Sequence, residues 1–230
     1  MLPKILQYLA LIRSMLRLAT RELDWLERAP HIRLYPEPKI RVRWLKYDEA
    51  RRLLVCLPPH VRAMAGFTLA TGLRQANVLS LPWENVDLNA CTIFVDGKET
   101  KNGKDLTIPL NRDAIAVLRE VQGQHEEFVF TYRGNRIVQA GNGAWRRALK
   151  AAKIENFRWH DLRHTWASWH VQNGTPLYTL KELRGWESMV SVQRYAHLST
   201  AHLSEYAESI ATAQSRHNPL PACAGGGLSA

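Results

Sequence analysis

This sequence predicts a mostly helical α+β fold, a helical bundle with a small antiparallel sheet at one edge. Three observations carry that prediction. After Trp44, apolar residues recur at three- and four-residue spacing through most segments, the period that one face of an α-helix requires. One run, Cys91-Thr92-Ile93-Phe94-Val95, is instead β-branched and aromatic, and Asn89 and Asp96-Gly97 bound it, so it reads as a strand. A second run, Asp105 to Leu110, follows Lys101-Asn102-Gly103-Lys104; the Asn-Gly pair is a hairpin signal that makes the two runs partners.

The first element is a helix from about Lys4 to Glu27, with Ile5, Leu9, Ile12, Leu16 and Ala19 at helical spacing. No apolar run approaches the ~18 residues of a membrane span. Arg13, Arg17 and Arg21 follow the apolar segment at four-residue intervals with no small-residue cleavage site, which argues against a secretion signal. The segment is therefore an amphipathic helix of a domain, and no membrane partner is expected. Residues 29–43 are basic and broken by Pro36 and Pro38, the composition of a linker. Helices are then expected at 48–57, stopped by Pro58-Pro59, at 61–70, ended by Thr71-Gly72, and at 74–81. Beyond the strand pair come helices at 111–122, 141–153, 160–173, 176–184, 188–196 and 200–215, with a short strand at 128–130. Residues 218–230 are Pro, Ala and Gly without period and are expected to be a disordered tail.

Composition narrows the partner. The 230 residues hold 31 Lys+Arg against 21 Asp+Glu, a formal charge of +10, which favours an anionic partner and nucleic acid first. With 46% hydrophobic residues the chain has material for a sizeable core. Cys56, Cys91 and Cys223 form no CxxC, so no zinc ribbon is present, and the sparse odd count suits a reducing cytoplasm.

Breaking a DNA phosphodiester with a side-chain oxygen sets four tasks: attack phosphorus, stabilise charge on the non-bridging oxygens, take the nucleophile's proton and give a proton to the departing 5′ oxygen. Tyr195 fits the nucleophile, because a phenol is far more acidic than an alkyl alcohol and its phosphodiester keeps the bond energy for rejoining. A lone tyrosine is more often a packing residue. Arg74 and Arg163 fit the charge clamp, since guanidinium is always charged and holds two phosphate oxygens at once. Such donors contribute ~3–4 kcal/mol each. Gly72 ahead of Arg74 suggests a tight turn that aims it. His160 fits a general base or a phosphate hydrogen-bond donor. Lys101, at the hairpin tip, fits the acid, with Lys98 and Lys104 as neighbours that keep the choice open. Trp186 offers an indole N–H to a phosphate oxygen and a ring to pack under the tyrosine. His164, one turn after His160, matches the i,i+4 spacing of helical zinc ligands. Asp161 stands where a zinc protease has glutamate and no third ligand is evident, so His164 reads as a packing or hydrogen-bonding residue. Arg43, Lys98, Lys104, Arg146, Arg147 and Lys150 are candidate DNA contacts.

These motifs stand in a fixed order: Thr-Gly-Leu-Arg (71–74), Thr-Lys-Asn-Gly-Lys (100–104) with Ile108-Pro109-Leu110, His-Asp-Leu-Arg-His-Thr (160–165), Gly-Trp (185–186) and Arg-Tyr-Ala-His-Leu (194–198). The region from about Arg43 to His217 resembles the catalytic domain of the tyrosine recombinase, or phage integrase, family. The resemblance implies that Arg74, Lys101, His160, Arg163, Trp186 and Tyr195 are the catalytic set. It also implies a 3′-phosphotyrosyl intermediate, double-stranded DNA at attachment or recombination sites as partner, a homo-tetramer on DNA and DNA-bending accessory proteins. No metal or nucleotide cofactor is implied. Trp186 stands where the family most often has histidine, and Asn77 where an acidic residue often follows the first arginine. The implied organisation is the last helix of a truncated N-terminal core-binding domain at 1–28, a linker at 29–43, the catalytic domain at 44–217 and a tail at 218–230. The expected function is a site-specific recombinase of a phage or other mobile element, acting in a bacterial, nucleoid-associated setting. A non-cutting DNA-binding remnant of the same fold and a type IB topoisomerase-like enzyme are the alternatives.

Overall fold

The computed structural model describes residues 2–35, 42–100, 103–140 and 143–198. The chain divides into two compact units, residues 1–41 and 42–230. The first holds one helix, α1 (Leu2–Arg21). It ends about six residues before the point that apolar spacing suggests. Asp24 has φ 48°, and the amides of Leu23 and Trp25 close back onto the carbonyls of Leu18 and Ala19. A left-handed residue cannot continue a right-handed helix. Ile5, Ile12 and Leu18 on α1 are exposed.

The second unit is mostly helical. It holds α2 (Tyr47–Cys56), α3 (Pro59–Thr71), α4 (Gln75–Leu79), α5 (Arg112–Val121), α6 (Gly143–Ala151), α7 (Asp161–Gln172), α8 (Leu177–Leu183) and α9 (Val190–Gln193). Its three-stranded sheet has the order β1 (Val86–Asp87), β2 (Thr92–Val95), β3 (Leu106–Pro109), antiparallel throughout. Ile93 pairs with Ile108 and both face the core, while Phe94 and Thr107 face out, the alternation a half-covered sheet requires. β1 is only two residues long, too short to show a period in the sequence.

The β2–β3 connection is a ten-residue loop rather than a tight Asn-Gly turn. Its near side carries a 3₁₀ turn at Gly97–Glu99. Asp105 accepts from the Gly97 amide at 2.8 Å, and Thr100 Oγ1 lies 2.9 Å from the Lys104 carbonyl. Phe128-Val129-Phe130 is not a ladder strand either. Phe128 makes an isolated bridge to Pro82, and the ladder begins one residue later, β4 (Thr131–Tyr132) with β5 (Asn135–Arg136). Arg133 and Gly134 turn it at φ 53° and 74°, the positive pair that a two-residue hairpin uses.

Packing explains which helices lie inside. α3 rests against α5 and α7, and its sequence is apolar on nearly every side, with Val61, Met64, Phe67 and Leu69 buried. A helix covered all round is apolar all round. α5 is amphipathic and buries only Ala114, Leu118 and Val121. The segment leading into α2 is tied to α7 by two bonds: the Leu45 amide donates to Thr165 Oγ1 at 3.1 Å, and Trp169 Nε1 donates to the Leu45 carbonyl at 2.9 Å. Two apolar clusters result. The larger runs from Leu45 to Leu162. The smaller comprises Trp166, Ala167, Val171, Leu180, Val192 and Tyr195.

Candidate active site

The first arginine is aimed by a helix end. α3 stops at Gly72, which takes φ 64° and caps the helix with its own amide on the Thr68 carbonyl. Glycine is required twice over at this position. Positive φ disfavours a side chain, and a Cβ here would lie 2.5 Å from the Trp166 ring. The chain then extends through Arg74 at the N-cap of α4, leaving the guanidinium half-buried.

Arg163 comes from the first turn of α7 and is only 4% exposed. Its Nη1 donates to the Gly72 carbonyl at 2.8 Å, so the turn that aims one arginine also holds the other. Its guanidinium lies 4.8 Å over the Trp186 ring. Nη2 is buried with no hydrogen-bond partner among the described residues. Burial first, and the Arg74 charge second, hold Arg163 down to about 10, so it is still a cation near neutral pH. Buried cations normally find an anion, and none is supplied from among the described residues.

His160 is the N-cap of α7 and opens toward solvent. Partial desolvation, then the Arg163 charge, pushes its imidazole below the usual value. Tyr195 is 1% exposed. Burial raises its phenol to about 12 against the opposing pull of Arg163 and Arg194. The tyrosine does not ride a continuous helix, as the apolar spacing of 188–196 suggests. α9 ends at Gln193, and tight turns carry the chain through Tyr195 to Leu198. The Trp186 ring sits 6.1 Å from the Tyr195 ring.

Arg74, His160, Arg163, Trp186 and Tyr195 line one cavity of about 460 Å³, together with His164 and Arg194. Five of the six residues proposed from sequence are thus brought together. The sixth, Lys101, lies outside the described residues, as do the 200–215 segment and the tail. Lys98 and Lys104 are exposed in the β2–β3 loop, and Arg146, Arg147 and Lys150 are exposed on α6. None of these lines the cavity. Arg43 is engaged elsewhere: it pairs with Glu49 at 3.0 Å, donates to the Trp44 carbonyl and lies over Phe157.

Two further residues shape the site. His164 takes the hydrogen-bonding alternative that its position left open: its Nδ1 lies 2.5 Å from the Tyr195 hydroxyl. The i,i+4 spacing from His160 was its signal, since it places both rings on one face. The two rings meet edge-on at 5.1 Å, and no third His, Cys, Asp or Glu joins them among the described residues. Arg184 is 3% exposed, lies 5.5 Å over the Trp166 ring, and has Nε and Nη1 unpartnered among the described residues. Its place directly after α8, four residues beyond buried Leu180, was the available signal.

Comparison with known proteins identifies the family. The sequence profile of the phage integrase family matches residues 43–202. The chain is 40% identical over 217 residues to the integrase of Salmonella phage P22, covering 88% of this chain and 56% of that protein. It is 30% identical over 197 residues to the shufflon-specific DNA recombinase of Escherichia coli, covering 83% and 50%. The chain therefore spans about half the length of these relatives, 56% and 50%. Among solved structures, XerA recombinase matches with a TM-score of 0.59 at 25% identity, over 91% of this chain and 74% of that one. The catalytic domain of bacteriophage HP1 integrase matches at 0.56 and 25% identity, over 78% and 99%. A lambda integrase dimer bound to a core site shares the fold, with a TM-score of 0.61 at 20% identity over 78% and 71%. No helix among the described residues is long and apolar enough to cross a membrane. On the matched span and the identity to its relatives, this chain belongs to the phage integrase family of tyrosine recombinases.

Proposed function

We propose that the chain carries out site-specific DNA recombination, cutting and rejoining strands through a 3′-phosphotyrosyl intermediate. One observation carries the reading: buried Arg163, with Nη2 unpartnered among the described residues, lines the same cavity as the Tyr195 side chain. A phosphodiester entering there meets a cation that lacks an anion, beside a phenol held at the cavity wall. Arg74 and Arg163 hold the non-bridging oxygens. His160, at the open mouth, donates to one of them. Trp186 packs between Arg163 and Tyr195 and fixes their separation. Tyr195 attacks phosphorus, and Lys101 gives the proton to the departing 5′ oxygen. Because no water enters the bond, the ester energy is retained and the strand rejoins by reversal.

The DNA is double-stranded and carries attachment or recombination sites. Lys98 and Lys104 on the β2–β3 loop and Arg146, Arg147 and Lys150 on α6 supply phosphate contacts, which position rather than specify. A homo-tetramer on DNA with bending accessory proteins, in a bacterial cytoplasm, completes the assembly. Residues 1–28 belong to an N-terminal core-binding domain as its last helix, and 44–217 form the catalytic domain.

The test uses nicked suicide duplexes carrying the junctions of the element that encodes the chain. The expected product is an SDS-resistant protein–DNA adduct, mapped to Tyr195 by mass spectrometry and absent from Tyr195→Phe, which still shifts the duplex on a gel. Binding without adduct in the unsubstituted chain establishes the non-cutting remnant instead. Relaxation of supercoiled plasmid without sequence preference establishes the topoisomerase.

A further inference from the structure

Within the cavity, the Tyr195 hydroxyl has one hydrogen-bond partner among the described residues. His164 Nδ1 lies 2.5 Å from the Tyr195 hydroxyl, with the rings tilted at 5.8 Å between centroids. No other hydrogen bond to that hydroxyl forms among the described residues. His160, the histidine that the family pattern singles out, contacts the His164 ring edge rather than the phenol. Resting on the recombinase reading above, we infer that His164 is the general base of strand cleavage: its Nδ1 takes the Tyr195 proton as the phenol oxygen bonds to phosphorus, and returns it when the strand is rejoined.

The chemistry needs such a group. A phenol raised to about 12 by burial is ionised in fewer than about one molecule in 10⁴ near neutral pH. Attack therefore depends on removing the proton within the step itself. A base for this task must be unprotonated beforehand, with Nδ1 free to accept and the hydrogen on Nε2. The surroundings favour that form. Burial first, then His160, Arg194 and Arg163, hold the His164 imidazole down to about 4. His160 and Arg163 face it from its own helix, and Arg194 and Tyr195 from the segment after α9. Arg74 and Glu187 line the same cavity.

Proton transfer does not precede attack, because the imidazole is the weaker base. It accompanies attack, since the phenol oxygen loses its basicity as the Oη–P bond forms, and the arriving phosphate charge raises the proton affinity of the ring. The balance is complete: Oη–P forms, P–O5′ breaks, the phenol proton moves to Nδ1, and the 5′ oxygen takes its proton from the separate ammonium donor. His160 is left to bind phosphate.

Two measurements on the 230-residue chain decide the assignment. The first needs no DNA. In ¹⁵N-histidine-labelled protein, with His164 assigned by loss of its signals in His164→Asn, the ring is expected to be the neutral Nε2–H tautomer down to about pH 5. An Nδ1–H tautomer overturns the proposal. The second follows adduct formation on the suicide duplexes from pH 6 to 10. Asparagine retains a hydrogen-bonding atom but cannot take up a proton. His164→Asn is therefore expected to fold and bind DNA as the unsubstituted chain does, to form adduct ~10²–10⁴-fold more slowly near pH 7, and to regain rate as pH rises. A sulfur in place of the bridging 5′ oxygen leaves without a proton and should not rescue it. Rates within about threefold of the unsubstituted chain, or rescue by the sulfur substrate, overturn the base role. Failure of the unsubstituted chain to form any adduct instead overturns the recombinase reading, and this assignment with it.

Discussion

The two sides of the cavity are built on cores of unequal size. The arginine side belongs to the large cluster that spans α2 to the start of α7. Leu73, beside Arg74, and Leu162, beside Arg163, are both fully enclosed there. The tyrosine side hangs on the small cluster of α7, α8 and α9, in which Tyr195 is itself one of the buried members. α7 joins the two, giving Leu162 to one and Trp166, Ala167 and Val171 to the other. The contrast separates two ways of holding a reactive group. Arg74 and Arg163 are held by a backbone carbonyl, a helix cap and a large core. Tyr195 is located by burial of its own ring, by the hydrogen bond to His164 and by contact with Trp186.

The comparison can be broken first at the clamp. Arg163 divides its donors between the Gly72 carbonyl and the cavity. Lysine keeps the charge but cannot serve both. Arg163→Lys is expected to slow adduct formation about 10²–10³-fold while leaving the Tyr195 side folded, as single-turnover rates would show. A rate within threefold of the unsubstituted chain would mean that charge alone, and not its anchoring to the core, makes the clamp.

The seam between the clusters comes next. Gly72→Ala adds a left-handed non-glycine residue and a methyl 2.5 Å from the Trp166 ring. The expected cost is about 2–4 kcal/mol, read as a fall in Tm of roughly 5–15 °C. Unchanged Tm would show that Trp166 moves freely and that the two clusters are not rigidly joined.

Acidification probes the small cluster most gently. His164 falls from its ordinary 6.5 to about 4 in the folded chain, so the unfolded chain binds more protons between those values. Its contribution is fully present above pH 6.5 and is lost as pH falls toward 4, on the order of 2 kcal/mol after allowing for solvent screening. Urea unfolding at pH 7 and pH 4.5 measures the loss. His164→Asn should remove that part of the difference, and an identical difference in the variant would show that His164 is not buried as a neutral ring.

Much of the large-core side was legible. Apolar period located α2 to α8 within a few residues, because each buries a face wide enough to leave a pattern. β-branched runs located β2 and β3. Arg74 was legible from the glycine two residues before it in Thr-Gly-Leu-Arg, and Arg163 from its place three residues after His160 in His-Asp-Leu-Arg-His-Thr. The two-residue strands and the 128–130 segment were not read correctly, since so few residues carry no period. On the small-core side, α9 is one turn long, so the pattern at 188–196 promised more helix than the packing supports.

By itself the sequence determined the fold class, the order of most helices, the basic charge and the motif order shared with the family, because periodicity, composition and motif order are local properties of the chain. Only the tertiary structure decided that Gly72 serves both arginines, that Arg184 is buried beside Trp166, and that His164 rather than His160 meets the Tyr195 hydroxyl. The first and the last depend on contacts 91 and 31 residues apart in the chain, and no local pattern encodes which of two histidines on one helix face will lie against the turn that carries Tyr195.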